Sequence, residues 1–305
     1  MIAWSEESLS PAKTREIVNP YMDSTIWNRF EYRAGDIVIA NWGKSGCTWM
    51  QQIVAQLLFN GSSNVSVAEI SPWLEFPLPS PDDTITLLTN QTHRRFIKTH
   101  LPIGALNFSA SARYVYLGRD GRDVVWSLYN HFRRLSSIWY AKMHGERGRF
   151  GELPQESPND FRSFFLDWLE KEGYPFWPFW EHILSWWNIR HLPNVMLINY
   201  QELKTDLALS IARVAQHLSL ECDDELLSNI CAHSSLAYMR DQAASIVRGD
   251  ESVFEGGVRS FFNKGGTGGW QGLLQQSDLD RYAEQQSESL PRDCIEWLEG
   301  RCVPD

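Results

Sequence analysis

The chain contains no apolar run longer than a β-strand, so no segment predicts a membrane span. Residues 1–19 are polar and charged with no apolar core, and no signal peptide is expected there. Cysteine is sparse: Cys47, Cys222, Cys231, Cys294 and Cys302 are odd in number, scattered, and form no Cys-x-x-Cys pair. That pattern excludes a cysteine-based zinc site and reads as free thiols in a reducing compartment, so a cytoplasmic location is expected. Positive charge is also short. The 28 Lys and Arg against 38 Asp and Glu leave a net charge of −10, which argues against a general nucleic-acid binder. A phosphorylated ligand must then be held by a local cluster of cations. No Pro/Gly/Ser-rich linker, low-complexity block or internal repeat breaks the 305 residues, and one domain over 1–305 is the expected organisation.

Tryptophan, by contrast, is abundant. Five of the fourteen lie between Trp168 and Trp187, and Trp177, Trp180, Leu184 and Trp187 fall at i, i+3, i+7 and i+10, one helix face. That face is either a thick core stripe or the border of an apolar acceptor pocket.

Strand-like runs at 37–40, 95–99, 114–117 and 195–199 alternate with helical patterns at 48–59, 121–132, 160–170, 178–190, 205–217 and 223–231. The alternation predicts an α/β fold with a central parallel sheet flanked by helices. In such sheets ligands sit beyond the carboxyl ends of the strands. The residues at those ends are Lys44-Ser45, Lys98-Thr99-His100, Gly118-Arg119-Asp120 and Tyr200, so one phosphate-type loop, a Lys/His pair, an Arg and a Tyr converge on one edge.

The first of these carries the clearest chemistry. Asp36 to Ala40 is a β-rich run, Gly43-Lys44-Ser45-Gly46 is a turn, and Cys47-Thr48-Trp49 opens a helix. Backbone N–H groups at such a helix start suit a phosphate, and Lys44 adds a point charge. The nucleotide P-loop G-x-x-x-x-G-K-[ST] is matched only at its end, since Val38 stands where its first glycine belongs. Alone, the tripeptide is equally compatible with an ordinary strand-to-helix turn.

Three segments read together resolve this: Lys44 to Trp49, Lys98-Thr99-His100-Leu101-Pro102, and Arg119-Asp120-Gly121-Arg122-Asp123 running on to Ser127. Their order and spacing resemble the cytosolic sulfotransferases, which use 3′-phosphoadenosine 5′-phosphosulfate (PAPS) and release adenosine 3′,5′-bisphosphate (PAP). Phe261-Phe262-Asn263-Lys264-Gly265-Gly266-Thr267-Gly268-Gly269-Trp270 is similar to that family's closing R-K-G-x-x-G-x-W element, so the resemblance runs from 32 to 270. It implies a single-domain, P-loop-like sulfotransferase fold and sulfuryl transfer to a hydroxyl, less readily an amine, of a small-molecule acceptor. It implies His100 as general base, Lys98 on the sulfuryl oxygens, and Lys44 with Ser45, Gly46, Cys47 and Thr48 around the 5′-phosphate. Arg119, Ser127, Lys264 and Gly265 would meet the 3′-phosphate. Trp49 would stack on adenine, with Tyr200 and Ser234 at its polar edge. No metal is implied. The residue chemistry suits these tasks: histidine, with a pKa of roughly 6.5, is mostly neutral near pH 7, and Arg offers phosphate a bidentate fork.

Departures from the pattern are visible. Asn263 stands where the family has Arg, leaving Arg259 or Arg240 as possible substitutes. Leu236 replaces an aromatic beside adenine, Cys47 replaces Thr, and His131 replaces a Phe of the acceptor pocket, which points to an acceptor with polar groups beyond its reacting hydroxyl. The dimerisation signature has no counterpart in 271–280, so the oligomeric state is open. Segments 72–92 and 145–151 read as loops at the acceptor mouth, the second as mobile. Two rivals remain: a small-molecule kinase, disfavoured by the missing glycine and Mg²⁺-binding Asp, and a catalytically silent nucleotide-binding protein, disfavoured by intact Lys44, Lys98 and His100.

Overall fold

A computed structural model describes residues 10–145, 160–173, 176–249, 251–263 and 265–302. A small antiparallel pair, β1 (Val18–Asn19) and β2 (Met22–Asp23), precedes the main sheet. The four apolar runs become β3 (Ile37–Asn41), β4 (Phe96–Thr99), β5 (Arg113–Gly118) and β6 (Val195–Asn199), ordered β4-β3-β5-β6 and all parallel. Alternating residues of β3 feed two cores: Ile37 and Ile39 pack with the Cys47–Leu58 helix, while Val38 and Ala40 pack on the opposite face. Burial on both faces is why these strands read as continuous apolar runs. The register sets Ala40 beside Thr99, Asn41 beside Leu117 and Gly118 beside Asn199, so the carboxyl ends lie level along one edge.

Helix starts at that edge are fixed locally. The Cys47–Leu58 helix begins after Gly46, whose φ of 110° is left-handed. A Cβ there would lie 2.9 Å from the Tyr200 ring, so the turn needs glycine for both conformation and space. Asp120 caps the Gly121–Phe132 helix by accepting from the Arg122 amide, and Asn199 with Glu202 forms a capping box on the Tyr200–Thr205 helix.

Two expectations need correction, and one open alternative is decided. The helix expected over 205–217 is Leu207–Leu218, starting two residues later because Asp206 turns extended and its carboxylate caps it at the Leu209 amide, and a separate helix, Tyr200–Thr205, precedes it. Segment 72–92 is not all loop. Pro81–Asn90 is helical, with Pro81 in its first turn and Ser80 accepting from the Asp83 amide, so Pro81 opens a helix. The aromatic stripe is core. Trp187 packs against Trp297 and Trp180 against Tyr282, rings supplied by the C-terminal helices Arg292–Leu298 and Gln276–Ser289. Among the described residues no helix is long and apolar enough to cross a membrane.

Candidate active site

A cavity of about 870 Å³ opens beyond the strand ends. Its border includes Lys44, Lys98, His100, Arg119, Ser127 and Tyr200, and also Gly46, Cys47, Thr48, Trp49, Ser234 and Gly265, so residues far apart in sequence face one space. Seven cations border it (Lys44, Lys98, Arg119, Arg134, Lys142, Lys204 and Arg248), and among the described lining residues there is no Asp or Glu. A chain of net charge −10 thus presents a strongly positive interior, which focuses its field on an anion. Lys264 lies outside the described residues, as does 146–151 of the expected mobile loop.

The phosphate-type loop is strained and wired. Lys44 has φ 69°, and its carbonyl accepts from Arg119 Nη1 at 3.0 Å. Lys44 Nζ lies 4.5 Å from the centre of the Phe261 ring. Burial, then the charges of Lys98, Arg119 and Arg134, bring its pKa down to about 7. Two side chains of the loop do not face the cavity as their type suggests. Ser45 is fully buried and donates its hydroxyl to the Trp42 carbonyl at 2.8 Å. Cys47 turns its sulfur toward the Ile39 carbonyl, and burial raises its thiol pKa to about 12. At Ser45 and Cys47 what the loop offers a ligand is therefore backbone: the amides of a helix's first turn have no intrahelical acceptor.

His100 is held at three points. Its amide donates to Glu75 Oε1 at 2.6 Å, its carbonyl lies 3.1 Å from His182 Nε2, and its Nδ1 lies 2.8 Å from the Asn41 carbonyl. A carbonyl can only accept, so Nδ1 carries the proton and Nε2 keeps its lone pair. The Trp73 ring stands edge-on at 4.6 Å. Burial, then the charge of Lys98, keep the pKa well below 6.5 against the Asn41 hydrogen bond, which raises it, so the ring is neutral near pH 7. Lys98 lies over Trp73 at 4.9 Å, and burial lowers its pKa too.

Glu75 was not singled out by sequence. Buried, it accepts from Trp27 Nε1 (3.0 Å), Trp73 Nε1 (2.6 Å), Thr99 Oγ1 (3.0 Å) and the His100 amide. Four donors converge on one carboxylate, which joins the Trp73 wall to the Lys98–His100 strand end. A single glutamate between Leu74 and Phe76 gives no sequence signal of this, because its burial is produced by long-range packing.

At the other end, Arg119 spans the site. It donates to Lys44 O and Gly266 O, both at 3.0 Å, and its guanidinium stacks 4.1 Å from the Tyr200 ring centre. The neighbouring carboxylates are committed elsewhere, Asp120 to Arg122 and Asp123 to the Gly268 amide. Arg119 Nε and Ser234 Oγ are buried without a hydrogen-bond partner among the described residues. Trp49 donates to the Ser234 carbonyl at 2.8 Å and meets Tyr200 edge-to-face at 5.6 Å, which leaves it bordering the cavity. Neither expected substitute for an arginine at 263 borders the cavity: Arg259 pairs with exposed Asp241, and Arg240 donates to the carbonyls of Phe262 and Asn263. Tyr21, Trp73, Phe76, Trp139 and Phe176 line the cavity, and the 177–187 tryptophans do not.

Comparison with known proteins agrees with this geometry. The sulfotransferase domain family model matches residues 34–293. A glycolipid sulfotransferase of Mycobacterium tuberculosis is 29% identical over 304 residues, covering 92% of each chain. Sulfotransferase 1 family member D1 of Mus musculus is 26% identical over 263 residues, covering 84% of this chain and 83% of the relative. Among solved structures, mouse sulfotransferase SULT7A1 complexed with PAP superposes with a TM-score of 0.69 at 21% identity over 90% of each chain. Retinol dehydratase in complex with androsterone and PAP gives a TM-score of 0.67 at 22% identity, covering 88% of this chain and 84% of that one. With the family match extending over most of its length, the chain belongs to the sulfotransferase domain family.

Proposed function

We propose that this protein, acting as one domain, transfers a sulfuryl group from PAPS to a hydroxyl of a small-molecule acceptor. The observation that carries the reading is the pairing of a proton-free His100 Nε2 with a wall of cations that holds no carboxylate among the described residues, in one cavity. The residues fit the donor: Arg119 and Ser234 hold unpartnered buried polar atoms, and the Gly46 turn opens a helix N-terminus to a phosphate. Lys44 neutralises charge at the departing 5′-phosphate oxygen, and Lys98 stabilises the sulfuryl oxygens in flight. His100 takes the acceptor proton at Nε2 as the acceptor oxygen bonds to sulfur and the sulfur–phosphate oxygen bond breaks.

Aromatic rings around His100 suit an acceptor with an apolar body and a hydroxyl at its inner end. The glycolipid sulfotransferase relative supports a lipid-like body of this kind. Calorimetric titration with PAP, beside ADP and Mg-ATP, tests the donor. Metal-independent binding of PAP in preference to both nucleotides is expected. Preference for Mg-ATP would assign the loop to a kinase.

A further inference from the structure

The cavity-facing stripe of the Gly121–Phe132 helix continues beyond Ser127. Ser127, His131 and Arg134 stand at i, i+4 and i+7, and all three border the cavity. Arg134 lies just past the helix's end, in the turn that follows its C-cap Arg133, and still borders the cavity. Its guanidinium donates to Ser260 O at 3.1 Å and to Asn263 Oδ1 at 3.0 Å. Arg119 donates to Gly266 O, three residues further along the same loop. Two arginines are thus anchored on one short stretch, bracketing Gly265 in sequence.

Neither arginine is spent on a carboxylate of the described residues. Arg134 is half-buried and close enough to add its charge to those depressing Lys44 and His131, after burial itself. Arg240 in turn presses on Arg134. Like charges gathered without a counter-charge are a standing penalty that a polyanion relieves. Asn263 supplies no charge. It presents its side-chain oxygen to Arg134 and so fixes the fork's direction.

We propose that Arg134, oriented by Asn263, is a direct ligand of the donor's 3′-phosphate, completing from the end of a helix the cationic site that Arg119 and Ser127 begin. This rests on PAPS being the donor. The guanidinium keeps two donors on the loop and turns its remaining N–H groups and charge to the phosphate.

Calorimetry with PAP and with 5′-AMP, which lacks the 3′-phosphate, tests the assignment on wild type and Arg134→Gln. Loss of one charge-assisted contact predicts PAP affinity falling about 10- to 100-fold, with AMP affinity within about twofold. Unchanged PAP affinity, or equal losses for PAP and AMP, would overturn the assignment while leaving the donor reading intact. Wild-type protein that fails to prefer PAP over AMP would sink the donor reading, and the assignment with it. Should Arg134→Gln fail to fold, Arg134→Lys carries the same test. A several-fold loss confined to PAP supports the fork, and a loss shared with AMP, or none, overturns it.

Discussion

Binding of PAP should take up a proton at alkaline pH, and Lys44 is the group that should take it. Its ammonium is buried among Lys98, Arg119 and Arg134, which brings its pKa from 10.5 to about 7 in the unliganded protein. A lysine is cationic below its pKa, so Lys44 is about nine-tenths neutral at pH 8 and about one-tenth neutral at pH 6. A phosphate at the loop reverses the cause of the shift, because an opposite charge favours the ammonium. Bound Lys44 returns toward its ordinary value, and the proton comes from solvent. The expected uptake is about 0.9 proton per PAP at pH 8, falling to about 0.1 at pH 6. By linkage, affinity weakens as pH rises through 7, approaching about tenfold per unit between pH 7.5 and 9. Lys98, lowered in the same direction, can only add to the slope. Titration in two buffers of different ionisation enthalpy measures the uptake directly, and Lys44→Met should bind more weakly with a flatter pH profile. No uptake at pH 8, or a wild-type slope retained in Lys44→Met, would show that Lys44 is not the coupled group.

His100→Ala should lower turnover about 10²- to 10⁴-fold while changing PAP affinity little, measured by initial rates and calorimetry; full activity would remove His100 from the chemistry. Arg119→Ala should weaken PAP far more than AMP, and equal losses would place the 3′-phosphate elsewhere. In Glu75→Gln the amide oxygen can keep the three donors now on Oε1, but its NH₂ must face the Trp27 indole N–H. A loss of about 1–3 kcal/mol in denaturant unfolding is expected, together with reduced turnover at unchanged PAP affinity. Wild-type turnover would show that Glu75 does not position His100.

Much of this arrangement was legible because it is local. Each strand of the sheet is an apolar β-rich run, and each of these cavity-lining segments lies at a strand's carboxyl end, so Lys44, Lys98, His100, Arg119 and Tyr200 could be placed by counting. What sequence hid depends on contacts across the fold. Ser45 is the residue type that meets phosphate, yet its hydroxyl is spent on Trp42 O. Trp177 to Trp187 have the spacing of either a core or a pocket wall, and only the docking of Tyr282 and Trp297 decides for core. Pro81 reads equally as a loop proline or as a helix opener until Ser80 is seen capping Asp83. Arg134 is one of two adjacent arginines in a polar turn, and only the return of the 252–263 segment against it gives it a role. That segment arrives through the Ser136 amide on Val253 O and the Glu255 amide on Arg134 O, pairings no local pattern announces.

The same crowding of cations imposes an order on the chemistry. Burial first, and then the charge of Lys98, hold the His100 pKa well below 6.5, which keeps Nε2 unprotonated but makes the imidazolium costly. A base that cannot hold its proton is a poor base. A bound polyanion offsets those charges, leaving burial as the main brake and raising the basicity of Nε2 when donor is present. The unliganded protein is then a weak base toward an acceptor hydroxyl, and the donor complex a stronger one. On the proposed mechanism His100 therefore gains basicity when donor binds, chiefly as the charge of Lys98 is offset, while Asn41 holds the imidazole at Nδ1 and Glu75 holds the backbone amide.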